Sequence, residues 1–304
     1  MLSVKNLHKE FKNVIAVNDV SFNVEPGRIF GILGPNGAGK TTTIRCLLDI
    51  IKPDRGEIHF NGEIADENFR NKVGYLPEER GLYSKSRVID VLCYFGELRG
   101  LSHSEAKNQA IHFLKKLEIS NYAGKKVNEL SKGNQQKIQF VAAVINNPTI
   151  LILDEPFAGL DPINQQLIKN LIQEFLDDGR IILLSTHQME VAEKLCSQIL
   201  LINKGEEILK GKLSEIKKNF GKISLVIKST QIGNDIQSFP EVSSADVYEN
   251  YSEVVLKTGV DSQTLLRKLI EKYEITGFDI KEPSLNSIFI EAVSNANKLS
   301  GEKR

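Results

Sequence analysis

The sequence predicts an α/β fold built on a mixed sheet over residues 1–220, followed by a small α+β unit over residues 221–304. Three observations carry this. Near-continuous apolar runs at "RIFGILG" (28–34), "TILILD" (149–154) and "RIILLS" (180–185) are each trailed by a helical pattern. Strand, crossover helix, strand is the mark of a parallel sheet buried on both faces. Shorter alternating stretches at 2–8, 20–25 and 56–60 read as antiparallel strands, with Asn61-Gly62 as a hairpin turn. From about Lys222 an alternating pattern restarts, which sets the second unit apart.

Between Tyr83 and Leu130 the chain turns helical, and a helical subdomain is expected over about 83–147. Val88, Val91, Leu92 and Phe95 share one face at helical spacing. Ser102-His103-Ser104-Glu105 reads as a capping box ahead of Ala106, Ala110, Phe113, Leu114 and Leu117. In the second unit, "KISLVIK" (222–228), "SEVVLKT" (252–258) and "ITGFDI" (275–280) read as strands. A helix fits 261–273 and a closing helix 285–293. The boundary is expected near Asn219–Gly221, with a charged tail fraying after Asn295.

The 304 residues accommodate two domains. Hydrophobic residues make up 41% and charged ones 26%, as in soluble globular chains. Lys+Arg and Asp+Glu both number 39, which argues against a dedicated nucleic-acid binder, so no nucleic-acid partner is expected. Cys46, Cys93 and Cys196 are scattered and form no C-x-x-C pair, so reduced thiols in a cytosolic protein are the plain reading. "MLSVKNLHKEF" has no apolar signal-peptide region. No window approaches the ~18 apolar residues of a membrane span.

Residues 34–41, Gly34-Pro35-Asn36-Gly37-Ala38-Gly39-Lys40-Thr41, fit G-x-x-x-x-G-K-[ST] between a predicted strand and a helix. Glycines let the backbone amides wrap a phosphate at a helix start whose dipole favours anions. Lys40 would neutralise the β- and γ-phosphates, and the Thr41 hydroxyl would ligate Mg²⁺. "ILILDEP" (150–156) ends a buried strand in Asp154 and Glu155. Ionised carboxylates at a sheet mouth need a cation or water partner. In P-loop enzymes the strand-end Asp holds Mg²⁺. Glu155 would then stand where water attacks the γ-phosphate, as a general base. Asp161-Pro162 reads as helix punctuation, Asp at the N-cap and Pro at N1, which does not exclude a second role. His187, one strand beyond, could reach the γ-phosphate as a donor.

Taken in order, these motifs resemble the nucleotide-binding subunits of ABC transporters. The resemblance covers about residues 1–220 and implies the P-loop cassette fold, ATP and Mg²⁺ as cofactors, and ATP hydrolysis. It puts Lys40 in the Walker A loop, which runs on to Thr42, and Asp154 and Glu155 in Walker B. It makes "GLDP" (159–162), with Asp161, the D-loop, and His187 the switch histidine. It makes Phe11 the aromatic that stacks on adenine. "LSKGN" (130–134) stands where the family has LSGGQ. Cassettes of the family pair head to tail, so Ser131, Gly133 and Asn134 would contact the γ-phosphate held by a partner, either a second copy or a different cassette. Lys132 and Asn134 replace the usual Gly and Gln. Glu78 in "GYLPEER" (74–80) replaces the lid Gln that senses Mg²⁺, and as a carboxylate could ligate it directly.

"EPSLNSIFIEAV" (282–293) resembles the ending of exporter ATPases that work with separate polytopic membrane permease subunits. It implies a chain that is cytoplasmic and peripheral on the inner face of the membrane, with residues near Glu78–Ser86 and the helical insertion as the docking surface. The competing reading is a soluble ABC-type ATPase acting on ribosomes or nucleic acid. A single Walker A, the missing Cys cluster and the short 83–130 insertion speak against it.

Overall fold

The computed structural model describes residues 1–79, 81–220, 224–257 and 259–301. It divides into two compact units, Met1–Lys210 and Gly211–Arg304. The division falls ahead of the expected boundary at 220, because the helix Leu213–Phe220 counts with the second unit. Gly221 of that boundary, the first two residues of the expected 222–228 strand, Thr258 and Arg80 lie outside the described residues.

In the first unit the strands are β1 (Leu2–Phe11), β2 (Val14–Val24), β3 (Arg28–Leu33), β4 (Arg55–Phe60), β5 (Glu63–Ile64), β6 (Val73–Leu76), β7 (Ile150–Asp154), β8 (Ile181–Thr186), β9 (Gln198–Asn203) and β10 (Glu206–Lys212). They form one sheet in the order β5-β4-β1-β2-β10-β9-β3-β8-β7-β6. Around β3 and β7 the neighbours are parallel, while β1, β2, β4 and β5 pair antiparallel. This is the mixed sheet that the apolar runs predicted. The reading of the sequence did not name β6, β9, β10 or the start of β2. Asn61 and Gly62, with φ of 53° and 92°, make the expected two-residue turn joining β4 to β5.

Helices α1 (Lys40–Leu47), α2 (Glu67–Asn71), α3 (Val88–Leu98), α4 (His103–Lys116), α5 (Lys132–Val144), α6 (Pro162–Asp177) and α7 (Met189–Leu195) connect the strands. α4 starts on the capping box: the Glu105 amide donates to Ser102 Oγ, and the Ser102 amide donates back to Glu105 at 2.8 Å. Val88, Val91 and Leu92 of α3 and Ala106, Ala110, Phe113 and Leu114 of α4 are buried, as their spacing requires. The core beneath α1 gathers Leu7, Val20, Phe22, Phe30, Ile32, Ile44 and Leu200, with the Phe22 and Phe30 rings stacked at 5.0 Å.

The second unit opens with the last two residues of β10, Gly211 and Lys212, and continues with α8 (Leu213–Phe220), β11 (Ser224–Lys228), β12 (Val242–Val247), β13 (Tyr251–Leu256), α9 (Ser262–Lys272), β14 (Gly277–Lys281) and α10 (Leu285–Gly301). Its antiparallel sheet runs β12-β13-β11-β14. Leu225, Ile227, Val254 and Leu256 of one face pack with Leu265 and Leu269 of α9. α10 continues to Gly301, past the fraying expected after Asn295. Asp235 ties a short 3-10 turn to the end of α9, accepting from Lys272 Nζ at 2.8 Å and from the Tyr273 hydroxyl. Lys272 first and Tyr273 second pull its carboxyl down to about 2. The stabilisation is therefore present above the unfolded-state value, about 3.9, and is lost as pH falls toward 2. The thermal-midpoint gap between wild type and Asp235→Asn is expected to close across that window. A gap that stays constant on acidification would sink the assignment.

Candidate active site

β3 delivers the chain into the loop Gly34–Gly39, and α1 begins at Lys40. Two glycines permit this path. Gly34 has φ of 153°, and a Cβ there would come within 2.2 Å of the Ile202 carbonyl. Gly39 has φ of 110°, and its Cβ would come within 2.3 Å of the Ala16 carbonyl. No side chain caps the start of α1, so its first amides are left for an anion. The Lys40 ammonium, only 6% exposed, donates to the carbonyls of Gly34 at 2.9 Å and Pro35 at 3.1 Å, and lies 3.8 Å from Glu155 Oε1.

Asp154 ends β7 wholly buried. Ser185 Oγ donates to its Oδ1, whereas Oδ2 has no hydrogen-bond partner among the described residues. Burial pushes this carboxyl up from its ordinary range, opposed by the hydroxyls of Ser185 and Thr41. Thr41 Oγ1 donates to Glu78 Oε2 at 3.4 Å. A hydroxyl, an orphaned buried carboxylate oxygen and a second carboxylate are hard donors, and this set fits Mg²⁺.

Glu155 leaves the strand in a left-handed conformation, φ 51°, with its amide held by the Ser185 carbonyl at 3.1 Å. Its Oε2 accepts from Thr186 Oγ1 at 3.1 Å. Its Oε1 accepts from the His187 amide at 2.9 Å and from His187 Nδ1 at 2.7 Å. A carboxylate only accepts, so the Nδ1 position carries the proton. The His187 side chain is 46% exposed and leaves Nε2 as its other polar atom. Donation from Nε2 to a phosphate then requires the imidazolium form.

A cavity of about 470 Å³ is lined by Asn36, Gly37, Ala38, Gly39, Lys40, Thr41, Thr42 and Glu78. Val14, Ile15, Ala16 and Lys204 complete it, and the sequence reading missed all four. Phe11 stands outside this lining: it pairs with Val14 across the β1–β2 hairpin, 43% exposed, with the Lys9 ammonium 5.2 Å from its ring centre. Ser131, Gly133, Asn134 and Asp161 do not line it either. Ser131 caps α5, its Oγ accepting from the Asn134 amide at 3.3 Å. Asp161 caps α6, accepting from the Asn164 amide at 2.9 Å and from Asn164 Nδ2 at 2.6 Å. These bonds hold the Asp161 carboxyl below its ordinary range.

Residues 17–158 match the family described as ABC transporter, and residues 211–293 match the DrrA1-3-like ATP-binding protein C-terminal domain. The chain is 41% identical over 293 residues to the uncharacterized ABC transporter ATP-binding protein YhaQ of Bacillus subtilis, covering 96% of this chain and 98% of the relative. It is 33% identical to the Nod factor export ATP-binding protein I of Burkholderia thailandensis, over 87% of this chain and 84% of the relative. It is similar in structure to the dimeric form of MJ0796, a bacterial ABC transporter cassette. That likeness has a TM-score of 0.65 and 26% identity, over 70% of this chain and 99% of the other.

Proposed function

The chain belongs to the ABC transporter ATP-binding family, and on that premise we propose that it closes head to tail with a second cassette around ATP to power export through membrane subunits. One observation carries the reading. The sequence marks two stretches as phosphate-facing, the loop leading into Lys40 and the start of α5 at Ser131, and of these the first lines the cavity. The start at Ser131 lies outside that lining, and it serves if its phosphate belongs to another chain.

In this reading the Gly34–Thr42 segment binds the triphosphate of the chain's own ATP, with Val14 and Ile15 beside it. Phe11, paired with Val14 beside the hairpin turn, stacks on the base. Thr41, Asp154 and Glu78 hold Mg²⁺, which when bound draws charge from the phosphates. Glu155 takes the proton from the attacking water, and His187 steadies the γ-phosphate. Ser131, Gly133, Asn134 and Asp161 complete the partner's site.

Among the described residues no helix is long and apolar enough to cross a membrane. In this reading the membrane subunits are separate chains, with this one held peripherally at the inner face. Their docking surface is the exposed aromatic group on the helical insertion, where Tyr83 and Tyr94 meet edge to face at 5.5 Å beside Phe95. The name of the Nod factor relative supports the export direction.

The test is a pull-down of the tagged Glu155→Gln chain from its own cells, solubilised in mild detergent with ATP present. A polytopic membrane protein in stoichiometric amount is the expected companion. Ribosomal proteins or nucleic acid, with no membrane protein, would overturn the transport reading while leaving the ATPase chemistry in place.

A further inference from the structure

α5 carries three buried polar side chains, and each reaches a different segment of the candidate site. Gln136 Nε2 donates to the carbonyl of Pro156, the residue after Glu155, at 3.3 Å. Lys137 Nζ donates to the Leu117 carbonyl at 3.1 Å and to Asn164 Oδ1 at 2.8 Å, and Asn164 in turn holds Asp161. Gln139 Nε2 donates to the carbonyls of Pro77 at 2.9 Å and Glu79 at 2.8 Å, the two residues that flank Glu78.

Gln139 stands out among the three. It is 4% exposed, and its Oε1 has no partner among the described residues. Turning the amide over would set that oxygen against two carbonyls, so the two donor bonds fix its orientation. A buried amide with an unmet acceptor is a poor way to fill a helix-to-strand contact. The contact is nonetheless tight: one turn along α5, the Ala143 carbonyl lies where a Cβ on Gly74 of β6 would come within 2.2 Å. α5 is thus seated on β6 at Gly74 and fastened to the segment leaving β6 at Pro77 and Glu79.

We propose that Gln139 is a positioning residue that makes the Glu78 segment move with the helix that begins at Ser131. This rests on the function proposed above, in which Ser131 meets the partner's γ-phosphate and Glu78 faces the metal. Glu78 cannot shift relative to α5 without breaking both of these part-buried bonds, which would leave the buried Gln139 amide without its acceptors. Arrival of the partner's nucleotide at the start of α5 therefore sets Glu78 in place beside Thr41. Two ATP sites related in this way are coupled through a two-position element that both of them bias.

A double-mutant cycle on the full-length chain tests this. Gln139→Met keeps length and removes both donors, and Glu78→Ala removes the group positioned. kcat and KM for ATP are measured for wild type, both single variants and the double variant, with ATP-driven pairing followed in the Glu155→Gln background. Gln139→Met is expected to lower kcat about tenfold and to leave KM within about twofold. The double variant should then be no slower than the worse single variant. Effects that multiply, or a lower thermal midpoint with kcat unchanged, would reduce Gln139 to a packing residue and overturn the proposal. If Gln139→Met does not fold, Gln139→Glu, of the same shape and without the amide's donors, takes its place in the cycle. A wild-type chain that neither pairs nor hydrolyses ATP would instead bring down the underlying reading.

Discussion

Glu155→Gln is expected to lower turnover by about 10²–10⁴, the usual contribution of a general base, and to leave the ATP-bound chain paired. The geometry makes this substitution a clean one. Oε1 takes both bonds from His187, and a glutamine oxygen at that place keeps the His187 amide. Thr186, which donates to Oε2, can turn its hydroxyl to accept from the new amide nitrogen. Shape and anchoring persist while the proton acceptor is lost. The negative charge 3.8 Å from Lys40 also disappears, which frees the ammonium for phosphate. Affinity for ATP should thus be held or raised. Single-turnover hydrolysis and the ATP-dependent shift from monomer to dimer in sizing experiments check the two halves of this expectation. Wild-type rates from the variant would remove Glu155 from the chemistry.

The parts legible in the sequence were those fixed by local spacing. The loop Gly34–Thr41 could be read because its glycines answer a backbone requirement, visible as the 2.2 Å and 2.3 Å approaches at Gly34 and Gly39. Asp154 and Glu155 could be read because two carboxylates ending an apolar strand demand partners. β9 is as apolar as β3, and β10 follows it through Lys204 and Gly205, both at positive φ, so this pair was legible and went unread. The boundary at Lys210 was hidden because β10 runs across it and α8 follows β10 without a linker.

Other features depend on register and contact, which spacing does not encode. Phe11 and Val14 are separated by a turn of two residues, Lys12 and Asn13, at φ of 43° and 70°. Phe11 pairs directly with Val14, yet Val14 and Ile15 line the cavity and Phe11 does not, a difference that spacing in the sequence cannot show. Gln136, Lys137 and Gln139 gave a different kind of signal. Ile138, Phe140 and Val141 are buried among them, so α5 is covered nearly all round. Polar residues on such a helix must find partners, but which carbonyls they find is a tertiary fact.

Lys40→Met is expected to abolish ATP binding at concentrations that saturate the wild type. The Met chain fills the same space and keeps the packing, so what is lost is the ammonium. A hydrogen bond to a charged group contributes about 1.5–3 kcal/mol. Contacts to two phosphates together therefore correspond to about 10²–10⁴ in affinity. The ammonium also donates to the Gly34 and Pro35 carbonyls, the loop's own backbone, and Lys40→Met removes those two bonds as well. Glu155 keeps its three donors from Thr186 and His187 when Lys40 is replaced, and the unliganded fold should survive. Thermal unfolding separates these effects. Ligand at about 100 times its dissociation constant stabilises a fold by about 2.7 kcal/mol. Wild type should accordingly gain in midpoint with Mg²⁺ and ATP, and Lys40→Met should start near the wild-type value and gain nothing. A variant that still gains would show that the loop amides and the Thr41 site bind the triphosphate without the lysine.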